Sequence, residues 1–323
     1  MCKKLFILLI CQMLATVGAF AVTRTAILRI HNGAGITYDT EQLATAVAEA
    51  EAGDTLCLNE GTYNLSDTLA ITQPITMMGA GQSTHIIGVI NVSIDGETTL
   101  TSRMLDAVRI TGSVLVTKSV KGFSMRKIRI SENLSWQAAV SDVLVDRCNI
   151  NNYTMNSNLR SANFVNCRIA NLTAGPNENC EITYLNCSFY QVYYNDFYAQ
   201  HVATYLNCII HGAYDNAPFN YSTLYNCLTF SQQIYTGANT VSYNCNYENG
   251  DIFWSDSTDN YTRKTKGELI EAGYLGNDGT VVGVEGGNTP YTLVPSSIIV
   301  TESLLKIDNA NKKLNVTLKV ASN

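Results

Sequence analysis

The sequence predicts an all-β protein: a right-handed parallel β-helix solenoid with an N-terminal capping helix and a short C-terminal β-appendage. Two regular columns of residues support this prediction. Six cysteines recur 18 to 21 residues apart, and an asparagine directly precedes each of the last five. A repeat this short cannot bury its own apolar residues, so neighbouring repeats must stack into one continuous core. The columns are Cys148, Cys167, Cys187, Cys208, Cys227 and Cys245, and Asn166, Asn186, Asn207, Asn226 and Asn244.

The two columns predict a bend followed by a buried side chain. Asparagine tolerates left-handed backbone geometry, which suits a tight bend between two strands of one turn. Stacked amides can also hydrogen-bond along the column. The apolar residues Ile87, Val108 and Ile128 keep the same spacing, so we expect them to extend the cysteine column toward the N-terminus.

The cysteines are expected to be free thiols, although an exported chain would usually pair them in disulfides. Stacked strands place equivalent side chains about 4.8 Å apart and pointing the same way. That arrangement does not meet the dihedral angle that a disulfide prefers. We therefore expect a structural column of buried thiols, each behaving as a small apolar residue. Cys57 and Cys180 lie outside the column, and the sequence assigns them no partner.

Residues 1–21 have the features of a secretory signal peptide. Lys3 and Lys4 precede an apolar run, and Ala19-Phe20-Ala21 supplies a small-x-small cleavage pattern. The run is too short and too often interrupted for a membrane anchor. We expect export through a cleaved signal peptide to the extracellular space, the cell surface or the periplasm.

The remaining chain is acidic, with 19 of the 21 basic residues and all 27 acidic residues. This balance argues against a nucleic-acid partner, because neutralising phosphates requires concentrated Lys and Arg. No other stretch is apolar enough to predict a transmembrane segment in the mature chain. We expect a monomer.

The solenoid is expected to span residues 22–287, with a C-terminal β-segment or cap over residues 288–323. An Ala-rich stretch predicts a capping helix over about residues 40–51, with Thr40 as its N-cap and Gly53 as its stop signal. Residues 276–287 are rich in glycine and predict a tight final turn of the solenoid. Residues 313–320 alternate with period two, as a half-buried antiparallel strand does.

The stretch Gly53-Asp54-Thr55-Leu56-Cys57-Leu58-Asn59-Glu60-Gly61-Thr62-Tyr63 follows the predicted helix. It resembles the opening turn of secreted bacterial β-helix proteins of the pectate-lyase-like superfamily. The resemblance covers roughly residues 40–250, including the Asn-Cys turns. It implies the fold and a polysaccharide partner, and it does not specify an activity.

Basic residues are concentrated in one part of the predicted solenoid. Residues 103–168 contain ten basic and four acidic residues, whereas residues 169–262 contain eight acidic residues and neither Lys nor Arg. Like charges stacked at strand spacing repel each other, so they favour bound anions or full solvation. The functional interpretation is a binding strip for an acidic polysaccharide, and the alternative is a solvated face. Turn spacing predicts one column of Arg109, Arg129, Asn149 and Arg168 and another of Lys127 and Arg147.

Tyrosine is concentrated in the following part, with 13 of the 18 tyrosines in residues 184–261. Tyr184 and Tyr205 hold equivalent positions in their turns, so we expect them in the core. A second group falls in a predicted connection between strands, where exposure is common. A tyrosine ring with its hydroxyl suits contact with sugars. The predicted glycan-contact group is Tyr190, Tyr193, Tyr194 and Tyr198.

Two chemistries are available to a β-helix enzyme of this kind. Glycoside hydrolases need two carboxylates at a defined separation, and the chain shares only His211-Gly212 with the motifs of the polygalacturonase-type family. Polysaccharide lyases neutralise a uronate carboxylate and remove the neighbouring proton with a base. The candidates for those roles are Lys127, Arg129, Arg147 and Arg168, and no motif assigns a catalytic residue. If the protein is an enzyme, the sequence favours a lyase.

Cofactor and metal signals are sparse. The sequence predicts no metal site, and Ca²⁺ enters only as a possible cofactor of a lyase. Asp278 is a single candidate ligand in a Gly-rich turn, where it is equally explained as a turn residue. His201 and His211 flank Cys208, with Asp196 and Asp215 nearby, and could form a small polar site or be ordinary hydrogen-bonding histidines.

The sequence as a whole predicts a secreted β-helix protein that binds an extracellular or cell-surface polysaccharide. Two alternatives stay open. The first is a lyase that cleaves an acidic, uronate-containing glycan by β-elimination. The second is an adhesion or structural surface module.

Overall fold

The computed structural model describes residues 26–94, 98–99, 104–175, 178–194, 202–213, 219–229, 239–247, 265–291, 298–308 and 313–322. The chain forms an all-β parallel solenoid of about eight turns, with a short helix near the N-terminus. The predicted fold class is confirmed.

The solenoid has three long parallel ladders and a short fourth one, each built from strands of successive turns. The first ladder contains Thr55–Leu58, the start of Thr76–Ile87, the start of Leu105–Thr111, Ser124–Arg126, Val143–Asp146, Ser161–Val165, Glu181–Leu185, Thr204–Leu206, Thr223–Tyr225 and Val241–Tyr243. The second contains Gly61–Asn64, the ends of Thr76–Ile87 and Leu105–Thr111, the starts of Arg129–Trp136, Asn149–Met155, Arg168–Ala174, Ser188–Tyr194 and Ile209–Ala213, then Leu228–Thr229 and Asn246–Tyr247.

The third ladder contains Leu69–Ile71, Ile90–Val92, Val114–Val116 and the ends of the five long strands that begin in the second ladder. The fourth contains Thr98–Thr99, Val120–Lys121 and Val140–Ser141.

A hairpin and a helix cover the N-terminal end. Strands Ile27–His31 and Ala34–Tyr38 pair antiparallel, and Ile27–His31 also pairs antiparallel with the first strand of the first ladder. A 3-10 turn, Thr40–Gln42, leads into the α-helix Leu43–Ala48. The N-cap of the 3-10 turn is Asp39 and not the predicted Thr40, and the backbone N–H of Asp39 donates to the side chain of Gln42 in a capping box.

The bend between the first and second ladders is left-handed in eight successive turns. The residue at the bend has φ between 48° and 55°, which confirms the geometry predicted for the asparagines. The bend residues, called the corner column below, are Ala107, Lys127, Arg147, Asn166, Asn186, Asn207, Asn226 and Asn244.

The residue after each bend points into the core. Val108, Ile128 and the five cysteines from Cys148 to Cys227 are buried. Ile87 does not belong to this column, so its assignment from spacing is wrong. The strand Thr76–Ile87 contains two register shifts, which pair Gly81 with Val108 and leave Ile87 exposed opposite Thr111.

The cysteines in the described residues are all free, as predicted for the six of the column, and Cys57 and Cys245 are the two that are only partly buried. From Cys167 to Cys227, each sulfur lies 3.2–3.5 Å from two carbonyl oxygens, one in its own turn and one in the preceding turn. The thiols therefore act as weak donors to backbone groups at the bend. Burial raises the pKa of Cys148, Cys167, Cys187 and Cys227 well above the usual thiol value.

Aromatic rings stack inside the same turns. Phe164 lies 5.0 Å from Tyr184, and Tyr184 lies 4.9 Å from Tyr205, measured between ring centroids. All three are fully or almost fully buried. The expectation that Tyr184 and Tyr205 belong to the core is confirmed.

The C-terminal residues form a separate antiparallel hairpin of strands Ile298–Asp308 and Lys313–Ser322. A register irregularity between Val300 and Glu302 lets Val300 pair with Val320 while Leu305 pairs with Val316. The predicted strand over residues 313–320 is therefore present, within the expected C-terminal β-segment.

The free thiols lead to a test of redox state in the chain that begins at residue 22. In the folded protein, we expect a thiol reagent to modify Cys57 and Cys245 first, because only these are partly exposed. After denaturation without reductant, all eight cysteines should react. Recovery of two or fewer thiols from the denatured chain would show that the column is disulfide-bonded.

A buried ionic cluster joins the N-terminal hairpin to the first turn. Asp54 is 2% exposed, and its carboxylate lies 2.7 Å from His31 Nδ1 and 3.6 Å from Arg29 Nε. The backbone N–H of Glu51 also donates to it at 3.0 Å. Burial raises the pKa of Asp54, but these hydrogen bonds and charges outweigh that effect and hold the pKa below its usual range.

Because the pKa of Asp54 is lower in the folded chain than in the unfolded chain, its contribution to stability is present above the ordinary carboxyl pKa of about 3.9 and is lost as the pH falls below it. We expect Asp54→Asn to weaken this acid dependence, measured by urea unfolding at neutral pH and at about pH 3. Asp67→Asn, which alters an exposed acid, should behave as wild type. Equal acid sensitivity in the Asp54 variant would contradict the assignment.

Candidate functional site

The outward side of the second ladder carries the predicted arginine column. Along each strand, alternate side chains face the core and the solvent. Ile110, Ile130 and Ile169 are buried, so the arginines directly before them face outward. The register gives the complete column as Thr62, His85, Arg109, Arg129, Asn149, Arg168, Ser188, Ile209, Leu228 and Asn246.

The basic part of this column extends one turn further than the sequence analysis placed it, because His85 pairs with Arg109. Arg129 is exposed, whereas Arg109 and Arg168 are partly buried. His85 Nε2 lies 2.7 Å from Thr111 Oγ1. Burial, and then the charge of Arg109, lower the pKa of His85. His85 therefore stays neutral to a lower pH than a free histidine.

The adjacent basic residues are neutralised in part by acids that the sequence analysis did not assign to the site. Arg126 donates to both carboxylate oxygens of Asp106, at 3.1 and 2.7 Å, and Arg147 donates to Asp146 at 2.6–3.1 Å. Asp106, Arg126 and Asp146 also stack in register. Their spacing of 20 residues was visible in the sequence and could have revealed this alternating column.

Lys127 occupies a left-handed bend next to these arginines, as predicted from its spacing to Arg147. Burial is the largest cause that lowers the pKa of Lys127, followed by the charges of Arg147 and Arg126. A lysine with a lowered pKa is more often neutral, and a neutral amine can accept a proton. Of the lyase candidates, Lys127 is therefore the one whose pKa is shifted toward easier loss of a proton.

The structure changes the placement of the tyrosine group. Tyr190, Tyr193 and Tyr194 lie on the strand Ser188–Tyr194, which pairs with the strands on both sides. Their expected position in a protruding connection is therefore wrong. The number of residues per turn does not show where this strand ends, so the sequence did not place these tyrosines on it. The side chains of Tyr193 and Tyr194, and all of Tyr198, lie outside the described residues.

Tyr190 is partly buried and stacks on His211, with ring centroids 4.8 Å apart and an interplanar angle of 17°. Tyr190 lies two residues after Ser188, which pairs with Arg168, so the aromatic pair borders the basic part of the same outward side. His211 Nδ1 lies 3.1 Å from the carbonyl oxygen of Tyr190. His201, Asp196 and Asp215 lie outside the described residues.

Residues 274–291, called the strap below, cross the corner column from outside. The expectation that residues 276–287 form a final turn is wrong, because this segment adds no strand to the solenoid. Its backbone comes close to the asparagines: a Cβ atom at Gly276 would collide with the amide of Asn207, and one at Gly287 with that of Asn186. The glycines that suggested a tight turn instead permit this close approach.

The strap satisfies buried amide groups of the corner column. Asn166 Nδ2 donates to the carbonyl oxygens of Val284 and Gly286, at 3.1 and 2.8 Å. Asn207 and Asn277 form a reciprocal pair, with distances of 3.0 and 3.1 Å. The predicted side-chain ladder exists only beyond the strap, where Asn244 donates to Asn226 at 2.7 Å and Asn226 contacts Asn207 at 3.4 Å.

The strap also limits the outward side of the second ladder. The backbone N–H of Val284 donates to Ser188 Oγ at 3.2 Å. Ile209 and Leu228 are buried in a small apolar cluster with Leu269, Val281 and Val282. The strap leaves open the part of this outward side that runs from Thr62 to Arg168 and is bordered by Tyr190 and His211. This part is called the basic face below.

Metal binding receives no support from the acidic residues placed in the structure. Asp278 Oδ1 accepts hydrogen bonds from the backbone N–H and the hydroxyl of Thr280, as a turn residue does. Within the described ranges, no group of three or more His, Cys, Asp or Glu side chains is placed to hold a metal ion.

The chain matches no protein-family model, no curated protein sequence and no solved structure. In the part of the chain that the structure describes, no helix has the length and apolar character needed to span a bilayer. The function must therefore be inferred from the geometry of the basic face.

The contacts between the strap and the corner column lead to a prediction about the free energy of unfolding. Asn277→Ala should remove the acceptor of Nδ2 of the fully buried Asn207, while the backbone N–H at position 277 still donates to Asn207 Oδ1, at a cost of roughly 1–3 kcal/mol. Asn163→Ala removes an exposed amide from a strand of the first ladder, where the backbone is not left-handed, and should cost roughly 0.5 kcal/mol or less. Urea unfolding of both variants measures the difference. Equal losses would show that the strap does not stabilise the column.

Proposed function

We propose that this protein is an exported β-helix protein, related to the pectate-lyase-like superfamily of bacteria, that binds an acidic polysaccharide on the basic face. The protein acts as a monomer outside the cytoplasm. The main supporting observation is the register that aligns His85, Arg109, Arg129 and Arg168 on one outward column. The strands of a solenoid repeat at about 4.8 Å, so Arg109 and Arg129 place positive charge on adjacent turns, and Arg168 lies two turns beyond Arg129.

The chemistry of the basic face suits a uronate-containing chain. Guanidinium groups form paired hydrogen bonds with carboxylates. Asn149, which is 7% exposed, places an amide between Arg129 and Arg168. The Tyr190–His211 pair lies at the border next to Arg168 and offers an aromatic edge to a sugar ring. Charged and aromatic contacts together would favour an acidic glycan over a neutral one.

The strap blocks one end of the basic face, so a bound chain can extend only toward the other end. The strap closes it beyond Arg168 by occupying Ser188 and covering Ile209 and Leu228. A bound chain that follows the column would therefore extend from Arg168 toward His85 and Thr62. Arg126 and Arg147 would contribute less to binding, because each already contacts a carboxylate.

A polysaccharide lyase is the second candidate, and the environment of Lys127 is the observation that favours it. Burial and neighbouring arginines lower the pKa of Lys127. In a β-elimination, arginine would neutralise the uronate carboxylate while the base removes the adjacent ring proton. The bond to the leaving sugar oxygen then breaks, and a carbon–carbon double bond forms.

Binding to polygalacturonate, with a neutral glucan for comparison, tests the proposal. Replacing both Arg129 and Arg168 by Ala should weaken binding by about tenfold, since two charge contacts at an open surface contribute roughly 1.4 kcal/mol in total. The salt dependence should also become shallower. The control replaces exposed Lys118 and Lys266 by Ala, which changes the net charge equally but outside the basic face.

Affinity and salt response that stay unchanged in the Arg129/Arg168 variant would refute the basic face as the binding site. The same samples distinguish the two candidates. Formation of unsaturated uronates, followed by ultraviolet absorbance and abolished by Lys127→Gln, would identify a lyase. Binding without this product would support a binding protein.

A further inference from the structure

A pocket of about 350 Å³ lies on the fourth ladder, outside the basic face. Val120 pairs with Val140, and Val140 bridges to Leu159, so three successive turns meet at this point. Pockets that hold small molecules begin at about 300 Å³. The volume is therefore in the range for one sugar ring.

The pocket has a small apolar surface and polar sides. Val120 and Val140 are 3% and 0% exposed and separate the pocket from the core, so the apolar surface open to a ligand includes the exposed methyl group of Ala139 at the rim. Ser119 and Ser141 line the pocket and present hydroxyls on two adjacent turns. An apolar surface beside hydroxyl groups matches a pyranose ring, which has C–H groups on its faces and hydroxyls at its edge.

Two basic residues line the pocket, and they differ in whether an acidic residue is paired with them. Lys121 Nζ lies 3.3 Å from Asp142 Oδ2. Asp142 is itself fixed by Ser161, which accepts from the Asp142 N–H at 2.8 Å and donates to its carboxylate at 3.2 Å. The paired Lys121 therefore leaves little charge for a ligand.

Arg160 is the cation that remains. Its side chain is exposed, and it forms no ion pair with any residue in the described part of the chain. In the next turn, exposed Glu181 pairs with Ser161, so it lies beside Arg160 but does not line the pocket. Exposed Lys118 precedes Ser119 and adds positive charge near the rim.

We propose that this pocket binds a single sugar that carries a carboxylate, with Arg160 holding the carboxylate and Ser119 and Ser141 contacting ring hydroxyls. Arg160 is one of the groups best suited to a carboxylate, because its planar guanidinium donates two parallel hydrogen bonds. The site is separate from the basic face, since it uses the fourth ladder and none of the residues assigned there. It would bind a monosaccharide or the end of a chain.

Calorimetric titration of the full exported chain with glucuronate tests the site, with glucose and inorganic phosphate as comparison ligands. We expect glucuronate to bind, glucose to bind at least about tenfold more weakly, and Arg160→Gln to weaken glucuronate by about tenfold. Lys266→Gln, which alters an exposed lysine outside both the pocket and the basic face, should leave the affinity unchanged. Circular dichroism checks that each variant is folded.

A second variant keeps the test independent of Arg160. Ala139→Phe should fill the rim of the pocket and abolish glucuronate binding without removing a charge. Unchanged binding in both variants would overturn the proposal. Phosphate that binds as tightly as glucuronate would also overturn it, because the sugar ring would then contribute nothing. Loss of polygalacturonate binding in the Arg129/Arg168 variant, with glucuronate binding intact, would show that the two sites are separate.

Discussion

In eight successive turns, a single residue with φ near +50° bends the chain from the first ladder into the second. Left-handed geometry costs an L-residue about 1–2 kcal/mol, and asparagine reduces this cost by local hydrogen bonding. Once the bend position is fixed, the next residue must enter the core and the one after it must face outward. The buried thiols, the stacked aromatic rings and the outward arginines all depend on this constraint.

The solenoid has two regions that differ in the type of residue at the bend. Where the corner column consists of buried asparagines, the amides of Asn166 and Asn207 hydrogen-bond to the strap, and the column is closed to solvent. Where it consists of Lys127 and Arg147, the column carries charge, partly compensated by Asp146. The same backbone geometry thus supports a sealed structural region and a charged region, and the strap ends where one gives way to the other.

The thiol column shows how a small side chain serves several requirements of one position. It fills the space behind the bend and donates weakly to carbonyl oxygens of two turns, and burial raises the pKa of Cys167 and Cys187. In the N-terminal turns, Val108 and Ile128 fill the same position; both are buried, and their side chains have no hydrogen-bond donor.

Repeat spacing in the sequence alone determined the solenoid, the left-handed bends, the free thiols and the Arg109, Arg129 and Arg168 column, because all of these recur once per turn. The tertiary structure decided the features that do not recur once per turn and the contacts between residues that are far apart in the sequence. The register shifts that displace Ile87, the extension of the strand carrying Tyr190, and the pairing of Arg126 with Asp106 depend on local strand geometry. The strap joins residues 70 to 120 positions apart, and no periodicity encodes such contacts, because they arise only when the stacked asparagine amides require partners from elsewhere in the chain.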